Sequence, residues 1–268
     1  MTFRRSFKQL AINSGLIVST TAQDSEIEAF FERFREHYVT IELKRVGGAG
    51  DGGYLIPDIL EKISHCYSPG VADSAAFELE LSEQYGIISL MADASVAGPP
   101  LDNPNFRFTK RFLGNRTSGN IVTLTDWMSE TTDDTVRDLI LQMDIEGAEY
   151  EVLISEPEST LSKFAVLVIE FHYLDNLFEK HFLRMVTSLF EKLYKMFSIC
   201  HVHPNNCCGV AEFHNFEVPR VIEVTFLRND YSDCLKSHSL PSLPHPLDER
   251  NVDSEVDIVM PDIWWTTR

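Results

Sequence analysis

One run of eight residues, FAVLVIEF at positions 164–171, limits most strongly what this chain can fold into. All of its residues except Glu170 are apolar. Such a run is typical of a central strand whose two faces are both covered, and strands of that kind belong to parallel sheets in α/β proteins. The run therefore predicts a layered α/β fold.

Shorter apolar runs and amphipathic patterns alternate along the rest of the chain. Apolar residues recur every three or four positions at 74–85 and 178–197, which indicates helices. The alternation predicts a mostly parallel, doubly wound sheet with helices on both faces. A loop separates the last two runs, so we expect them to form an antiparallel edge. The other predicted strands are residues 63–67, 87–91, 106–112, 139–143, 197–202 and 221–227.

The length of 268 residues suits one large domain with an extension. We assign residues 1–40 to an N-terminal helical extension and residues 41–268 to the main domain. An apolar stripe in the extension predicts a helix that packs on this domain. The stripe consists of Ile27, Phe30, Phe31 and Phe34. The tail from Ser237, rich in Pro and Ser, is expected to be an irregular strap across the surface.

Charge and cysteine content restrict the partners and the compartment. The chain has 23 Lys and Arg against 41 Asp and Glu, a net charge of −18. A protein this acidic repels phosphate backbones and anionic lipids, so we expect neither nucleic acid nor a membrane surface as a partner. No apolar stretch approaches the roughly 18 residues that a membrane span needs. Five cysteines without a C-x-x-C pair favour the reducing cytoplasm.

Two strand ends carry residues that suit a ligand. In a doubly wound sheet, ligands bind beyond the carboxyl ends of the strands. The segment SPGVAD at 68–73 follows a predicted strand and precedes a helix, as in a nucleotide-type turn. Asp93, which ends the next strand, follows Asp73 by twenty residues, where an acid can accept hydrogen bonds from a ribose. The turn has one glycine where the dinucleotide fingerprint has three.

Acidic and imidazole groups collect at later strand ends. DIEGAE at 144–149, EFH at 170–172 and HVH at 201–203 each follow an apolar run. Alternation places Glu170 and His172 on one face, and likewise His201 and His203. If these strands are neighbours, four side chains converge on one edge of the sheet. They are Asp144, Glu170, His172 and His203.

Two kinds of chemistry suit such a group, and the residue types leave both open. Carboxylates with imidazole can hold a divalent metal ion. A histidine with a near-neutral pKa, oriented by a carboxylate, can serve as a general base. The alternative is a set of paired polar groups that close the strand ends. The glycine cluster at 47–53 is either a tight turn or a loop that closes over a ligand.

Several of these segments match one family. LQMDIEGAEYEVL at 141–153 resembles the D-x-E-G-x-E motif of FkbM-type methyltransferases. RVGGAGDGGYLIP at 45–57 and YSPGVADSAAFELE at 67–80 resemble the glycine-rich segment and motif I of a subgroup of that family. IEFH and HVHPNN, at 169–172 and 201–206, are similar to the same subgroup. The turn departs from the usual D-x-G-A-N-x-G form of motif I.

The resemblance implies a class I Rossmann-like fold, with a seven-stranded sheet and an antiparallel last strand. It implies S-adenosylmethionine as the donor and a hydroxyl acceptor, often on a sugar or a glycosylated product. Matching this sequence to the family's motifs implies that the methionine end of the donor contacts the turn at 68–73 and the helix after it. It also implies that the ribose contacts Asp93 and the adenine contacts Asn115. The methyl group would lie beside Asp144. The residues at the methionine end are Ser68, Gly70, Asp73, Phe77 and Glu78.

For catalysis we predict a histidine base, either His172 or His203, oriented by Glu146 or Glu170. Relatives in the wider O-methyltransferase class place Mg²⁺ on comparable strand-end carboxylates, so the resemblance also implies Mg²⁺ or Mn²⁺. The predicted metal ligands are Asp144, Glu170 and His203. A stacking face for a sugar is offered by four aromatic residues. They are Tyr173, Phe213, Phe216 and Trp264.

Two other functions share part of this pattern. A nicotinamide-dependent oxidoreductase has the same strand, turn, helix and acid, but it needs the fuller glycine fingerprint. A non-catalytic binding module keeps the fold but has no use for so many ionisable groups at strand ends. The sequence leaves open the acceptor, the metal and whether the protein is a homodimer.

Overall fold

The computed structural model of the protein describes residues 2–16, 18–234 and 243–266. The strands are β1 (Leu43–Val46), β2 (Tyr54–Pro57), β3 (His65–Pro69), β4 (Ile88–Ala92), β5 (Phe106–Thr109), β6 (Phe112–Leu113), β7 (Ile121–Val122), β8 (Leu139–Met143), β9 (Phe164–Phe171), β10 (Phe197–Pro204), β11 (Val210–Phe213), β12 (Phe216–Pro219) and β13 (Ile222–Arg228). The α-helices are α1 (Thr2–Asn13), α2 (Asp24–Glu36), α3 (Ala76–Tyr85), α4 (Leu124–Thr131), α5 (Glu149–Ser155), α6 (Glu158–Leu161) and α7 (Lys180–Tyr194). Short 3₁₀ turns occupy Leu60–Lys62, Leu174–Phe178, Asn229–Cys234 and Asp262–Trp264.

A seven-stranded sheet has the order β10-β13-β9-β8-β3-β4-β5. The five strands from β9 to β5 are parallel, and β13 is antiparallel to both of its neighbours. The predicted sheet, mostly parallel with an antiparallel last strand, is confirmed. The antiparallel strand lies one position inside the edge, because β13 returns between β9 and β10. The edge strand itself is β10.

The order of the strands fixes where a ligand can bind. From β3 the chain proceeds outward through β4 to β5, whereas β8 and β9 lie on the other side of β3. The connections after β3 and β8 therefore diverge, which opens a crevice at the carboxyl ends of these two strands. The predicted nucleotide-type turn follows β3, and the predicted acidic segment follows β8.

Both faces of the sheet are covered, which explains why β9 is buried at all eight positions. The face that carries Leu167 and Ile169 packs with α2, α4, α5 and α7 in the largest apolar cluster. The face that carries Val166 and Val168 packs with α3 and the β1–β2 hairpin. The hydroxyl of Thr225 on β13 donates a hydrogen bond of 2.8 Å to the carbonyl of Leu55, which holds the hairpin against the sheet.

The N-terminal region and the tail share this core. The predicted stripe lies on α2 and is buried. Trp264 packs against it, with ring centroids 4.8 Å from Phe31 and 5.1 Å from Phe34. Residues 243–266 cross the surface as the predicted strap, whose predicted start at Ser237 lies outside the described residues. Among the described residues, no helix combines the length and the apolar character needed to cross a bilayer.

Candidate active site

A cavity of about 270 Å³ lies in the crevice between β3 and β8. Its wall is formed by three segments: the loop of the β1–β2 hairpin, the turn from β3 into α3, and the end of β8. Four of the predicted site residues in these segments line it directly, and Asp144 closes it on the β8 side. The four are Gly70, Asp73, Phe77 and Glu78.

Gly70 allows the two strand ends to meet. Its φ is +89°, and a Cβ built there would lie 1.6 Å from the carbonyl oxygen of Asp144. Any other residue would collide with the backbone that follows β8. The single glycine of the turn is therefore required by close backbone approach.

A buried polar network supports the floor of the cavity. The Ser68 hydroxyl donates a hydrogen bond of 2.6 Å to Oε1 of Gln142 and also contacts the carboxyl of Glu78. The Gln142 amide donates to the hydroxyl of Tyr54 at 3.2 Å. Burial raises the pKa of Glu78. Ser68 is fully buried and lies behind the lining residues, so it positions them and does not line the cavity itself.

Asp93 braces the turn after β3. Its carboxylate accepts hydrogen bonds from the backbone of Ala72 at 3.2 Å and from the backbone and hydroxyl of Ser95 at 2.7 and 2.6 Å. Asn115 is exposed and donates to Glu151 at 3.2 Å. Neither residue lines the cavity. Their assignment to ribose and adenine therefore stays a prediction.

The segment after β8 folds back onto a histidine at the end of β9. Glu146 and Gly147 both have positive φ, 55° and 101°, and turn the chain sharply. Glu149 is then fully buried, and its Oε1 accepts hydrogen bonds of 3.1 Å from the backbone of Ile145 and of Gly147. The same oxygen lies 3.1 Å from Nδ1 of His172. Glu149 thus holds both its own loop and the imidazole.

The other nitrogen of His172 faces three further acids. Nε2 lies 3.7 Å from Asp144 Oδ1, 3.6 Å from Glu146 Oε2 and 3.7 Å from Glu170 Oε1. Burial opposes the charged imidazolium, but the hydrogen bond to Glu149 and the charges of Glu149, Asp144 and Glu146 outweigh it, so the pKa of His172 is raised. For Asp144, burial disfavours the charged carboxylate and raises its pKa to about 7, although the positive charge of His172 acts in the opposite direction. An acid on the cavity wall, Asp144, therefore lies next to a histidine, His172, and the pKa values of both groups are raised.

Sequence reasoning misplaced the orienting acid. Glu146 and Glu170 were the predicted partners, yet Nδ1 of His172 contacts Glu149. The side chain of Glu146 is 84% exposed, because the positive φ at this residue directs it outward. Glu149 completes the D-x-E-G-x-E pattern, and that was the one available signal for its role.

His203 is not brought to this group. On β10 it pairs with Glu223 of β13, which in turn pairs with Glu170 of β9. Three strand spacings separate β10 from β8, roughly 14 Å, so Asp144 and His203 do not share a ligand site. The predicted metal set Asp144, Glu170 and His203 is therefore not assembled.

His203 belongs to a different group, together with His201. The two imidazole rings lie on the same face, as alternation predicts, with centroids 6.3 Å apart. Asp248 of the strap lies between them, with Oδ1 at 2.9 Å from His201 Nε2 and 3.7 Å from His203 Nδ1. No sequence signal pointed to Asp248.

Replacement of Asp144 by asparagine is expected to flatten the dependence of stability on pH. Because the pKa rises from 3.8 to about 7 on folding, the folded protein keeps a proton that the unfolded chain releases. The free energy of unfolding therefore falls as the pH rises through this window. The full shift is worth about 4 kcal/mol. We expect about half of this change in the free energy of unfolding, because the side chain is 29% exposed and solvent screens its charge.

Urea unfolding at pH 4.5 and pH 7.5 measures this difference. Asp144→Asn should lose less stability between the two values than the wild type does. Asp253→Asn, which changes a carboxylate that is 94% exposed, should behave as the wild type. Equal slopes for Asp144→Asn and the wild type would show that Asp144 does not hold the proton.

Residues 82–196 match the family model of the methyltransferase FkbM domain. The matched region contains Asp144, Glu149 and His172, and it begins after the turn that follows β3. The predicted family resemblance is confirmed over this region. Of the three predicted functions, the match supports the methyltransferase. No curated protein matches the chain.

Two solved structures are similar to the chain at low sequence identity. The 16S rRNA (adenine(1408)-N(1))-methyltransferase from Catenulisporales acidiphilia is 10% identical, with a TM-score of 0.32, over 70% of this chain and 97% of that one. The N-terminal domain of EvdMO1, solved with SAH and D-fucose, is 11% identical, with a TM-score of 0.33, over 85% and 97%. The fold assignment rests on the sheet order described above.

Proposed function

Because residues 82–196 match the family model of the methyltransferase FkbM domain, we propose that this protein transfers a methyl group from S-adenosylmethionine to a hydroxyl group of a sugar or a glycosylated small molecule. One observation carries the proposal: the buried His172, held by Glu149, has its Nε2 3.7 Å from Asp144, which lines the switch-point cavity. This arrangement supports the proposal, because it would set a proton acceptor next to the cavity that we assign to the donor.

The cavity fits the donor in its charges and in its backbone. S-adenosylmethionine carries a sulfonium and an ammonium, and the acids Asp73, Glu78 and Asp144 line the cavity. Its carboxylate suits the start of α3, where none of the side chains that the structure describes caps the backbone N–H groups and where Ala76 and Phe77 line the wall. We assign the methionine end to Gly70, Asp73, Phe77 and Glu78. The ribose and adenine remain assigned to Asp93 and Asn115.

The bound donor supplies a methyl group that is already activated, so the protein must align the acceptor and remove its proton. Glu149 fixes the Nδ1 side of His172, which leaves Nε2 to accept that proton. Asp144 and Glu146 beside Nε2 stabilise the imidazolium that forms. Because the pKa of His172 is raised, the base is protonated at acidic pH, and we expect activity to rise with pH through this pKa.

A sugar acceptor is supported by the surroundings of His172. The acidic wall suits a neutral polyol better than an anion. Tyr173 is 55% exposed, and its ring centroid lies 6.2 Å from that of His172, a position where it can stack on a sugar face. The predicted stacking roles of Phe216 and Trp264 are wrong, because both side chains are buried in the core.

The thiols support the proposed compartment. Cys66 and Cys200 are buried and free, and Cys207 and Cys208 are exposed and free. We propose a cytoplasmic location on this basis, because a reducing environment keeps such thiols unpaired.

Calorimetric titration of the purified protein tests the donor assignment. We expect S-adenosylmethionine and S-adenosylhomocysteine to bind with 1:1 stoichiometry and NAD not to bind. Folded protein that binds neither adenosyl ligand would overturn the proposed function. Binding of NAD alone would favour the oxidoreductase. Sugars and glycosylated compounds can then be screened for S-adenosylhomocysteine formation.

A further inference from the structure

A second group of acids lies beside the candidate active site. Asp51, Glu170 and Glu223 each offer an oxygen, and the three oxygens lie within 4.8 Å of one another. Glu170 and Glu223 are direct partners across β9 and β13, and each is only 4% exposed. Asp51 comes from the exposed hairpin loop and meets them from the solvent side.

The polar neighbours of this group leave its charge uncompensated. An amide of Asn205 donates to Glu170 Oε1 at 3.0 Å, and an amide of Asn251 donates to Glu223 Oε1 at 2.6 Å. Both donors are neutral. The second oxygen of Glu170, Oε2, is buried and has no hydrogen-bond partner within residues 2–16, 18–234 and 243–266. A buried carboxylate oxygen without a hydrogen-bond partner indicates a ligand site, because otherwise no interaction compensates the free-energy cost of removing the oxygen from water.

Among the residues that the structure describes, no cationic side chain fills this place. The guanidinium of Arg45 is engaged by the loop carbonyls of Gly48 and Gly50, at 2.6 and 2.9 Å. His172 approaches the other oxygen of Glu170, Oε1, at 3.7 Å. His203 stands opposite Glu223 on β10, but its closest acid partner is Asp248.

We propose that Asp51, Glu170 and Glu223 bind a divalent cation that prefers oxygen ligands, such as Mg²⁺ or Mn²⁺. The three donors are all carboxylates, which favours these ions over Zn²⁺ and other ions that prefer nitrogen or sulfur. The site differs from the one predicted from sequence and shares only Glu170 with it. Cation binding is a property of the protein alone and does not rest on the proposed methyl transfer.

The ion would connect two parts of the molecule. Asp51 belongs to the hairpin loop and lines the cavity together with Gly52 and Tyr54, whereas the two glutamates belong to the sheet. A cation between them fixes the loop over the carboxyl ends of the strands. The expected consequence is a more stable protein in the presence of the ion.

Titration of Mn²⁺ into chelator-treated, full-length protein tests the site, with electron paramagnetic resonance to count bound ions and thermal unfolding to measure stabilisation. We expect one ion per chain and a rise in Tm with Mn²⁺ or Mg²⁺. Glu170→Gln and Glu223→Gln should weaken binding by about tenfold or more. Glu212→Gln, which changes an exposed carboxylate on β11, should bind as the wild type.

If a variant of a buried glutamate fails to fold, Asp51→Asn still tests the cation site, because Asp51 is exposed and its replacement leaves the core intact. It too should weaken Mn²⁺ binding. Absence of saturable binding to folded protein would overturn the proposal, and so would wild-type affinity in Asp51→Asn or Glu223→Gln. Binding that is lost in Glu149→Gln and kept in Glu223→Gln would also overturn it, because the ion would then belong to Asp144, Glu149 and His172. None of these results depends on whether S-adenosylmethionine binds.

Discussion

Replacement of His172 by glutamine is expected to lower the rate of methyl transfer by about 10²–10⁴-fold, the usual contribution of a general base. Binding of S-adenosylmethionine should be nearly unchanged, because His172 is not part of the cavity wall. Glutamine keeps a similar size and polarity at a site that is 8% exposed, so the fold should persist. The rate is measured as S-adenosylhomocysteine formed with an acceptor from the sugar screen, and donor affinity by calorimetry.

Three companion variants separate the possible roles. Glu149→Gln removes the charge that raises the pKa of His172, so the rise of activity should move to lower pH. His203→Gln decides between the two predicted bases. His181→Gln changes a histidine on α7 and should leave the rate unchanged. If His203→Gln abolishes turnover and His172→Gln does not, the assignment of the base is wrong.

Gly70→Ala is expected to destabilise the protein by about 2–5 kcal/mol. The left-handed backbone costs a residue with a Cβ about 1–2 kcal/mol. The collision with the Asp144 carbonyl, at 1.6 Å, adds an overpacking cost of about 1–3 kcal/mol. Because the displaced backbone carries Asp144, the variant should also lose donor binding. Tm should fall by about 5–15 °C.

Gly86→Ala is the matched control for this variant. Its φ is also positive, +66°, but apart from the adjoining backbone no atom of the described part of the chain lies within 4 Å of the added Cβ. We expect a loss of only about 1 kcal/mol, from the backbone conformation alone. Differential scanning calorimetry and donor titration on both variants measure the difference. Equal losses would show that close approach of the strand ends contributes nothing at Gly70.

The buried strands were predictable because a strand that is buried on both faces has a nearly continuous run of apolar residues in the sequence. Residues 139–143 and 164–171 are strands β8 and β9 with the predicted bounds. The single glycine of the turn and the acids after β8 were also recognisable, since a sharp turn and a strand end each need particular residue types. Alternation correctly placed His201 and His203 on one face.

The partners of the functional groups were not predictable in the same way. The positive φ at Glu146 and Gly147 turns Glu146 outward and Glu149 inward, so the acid that touches His172 is not the one nearest in the motif. Asp248 reaches His201 from the strap, 47 positions along the chain. Contacts of this kind depend on how distant segments cross, which leaves no periodic pattern.

The sequence by itself determined the α/β layers, the ligand end of the sheet and the side chains available there, because apolar periodicity and turn residues are local properties. The tertiary structure decided which of those side chains meet. By placing β13 between β9 and β10, it set Glu223 beside Glu170, with Asp51 above them, and moved His203 away from Asp144. Strand order follows from the packing of the whole sheet, so no local segment of the sequence specifies it.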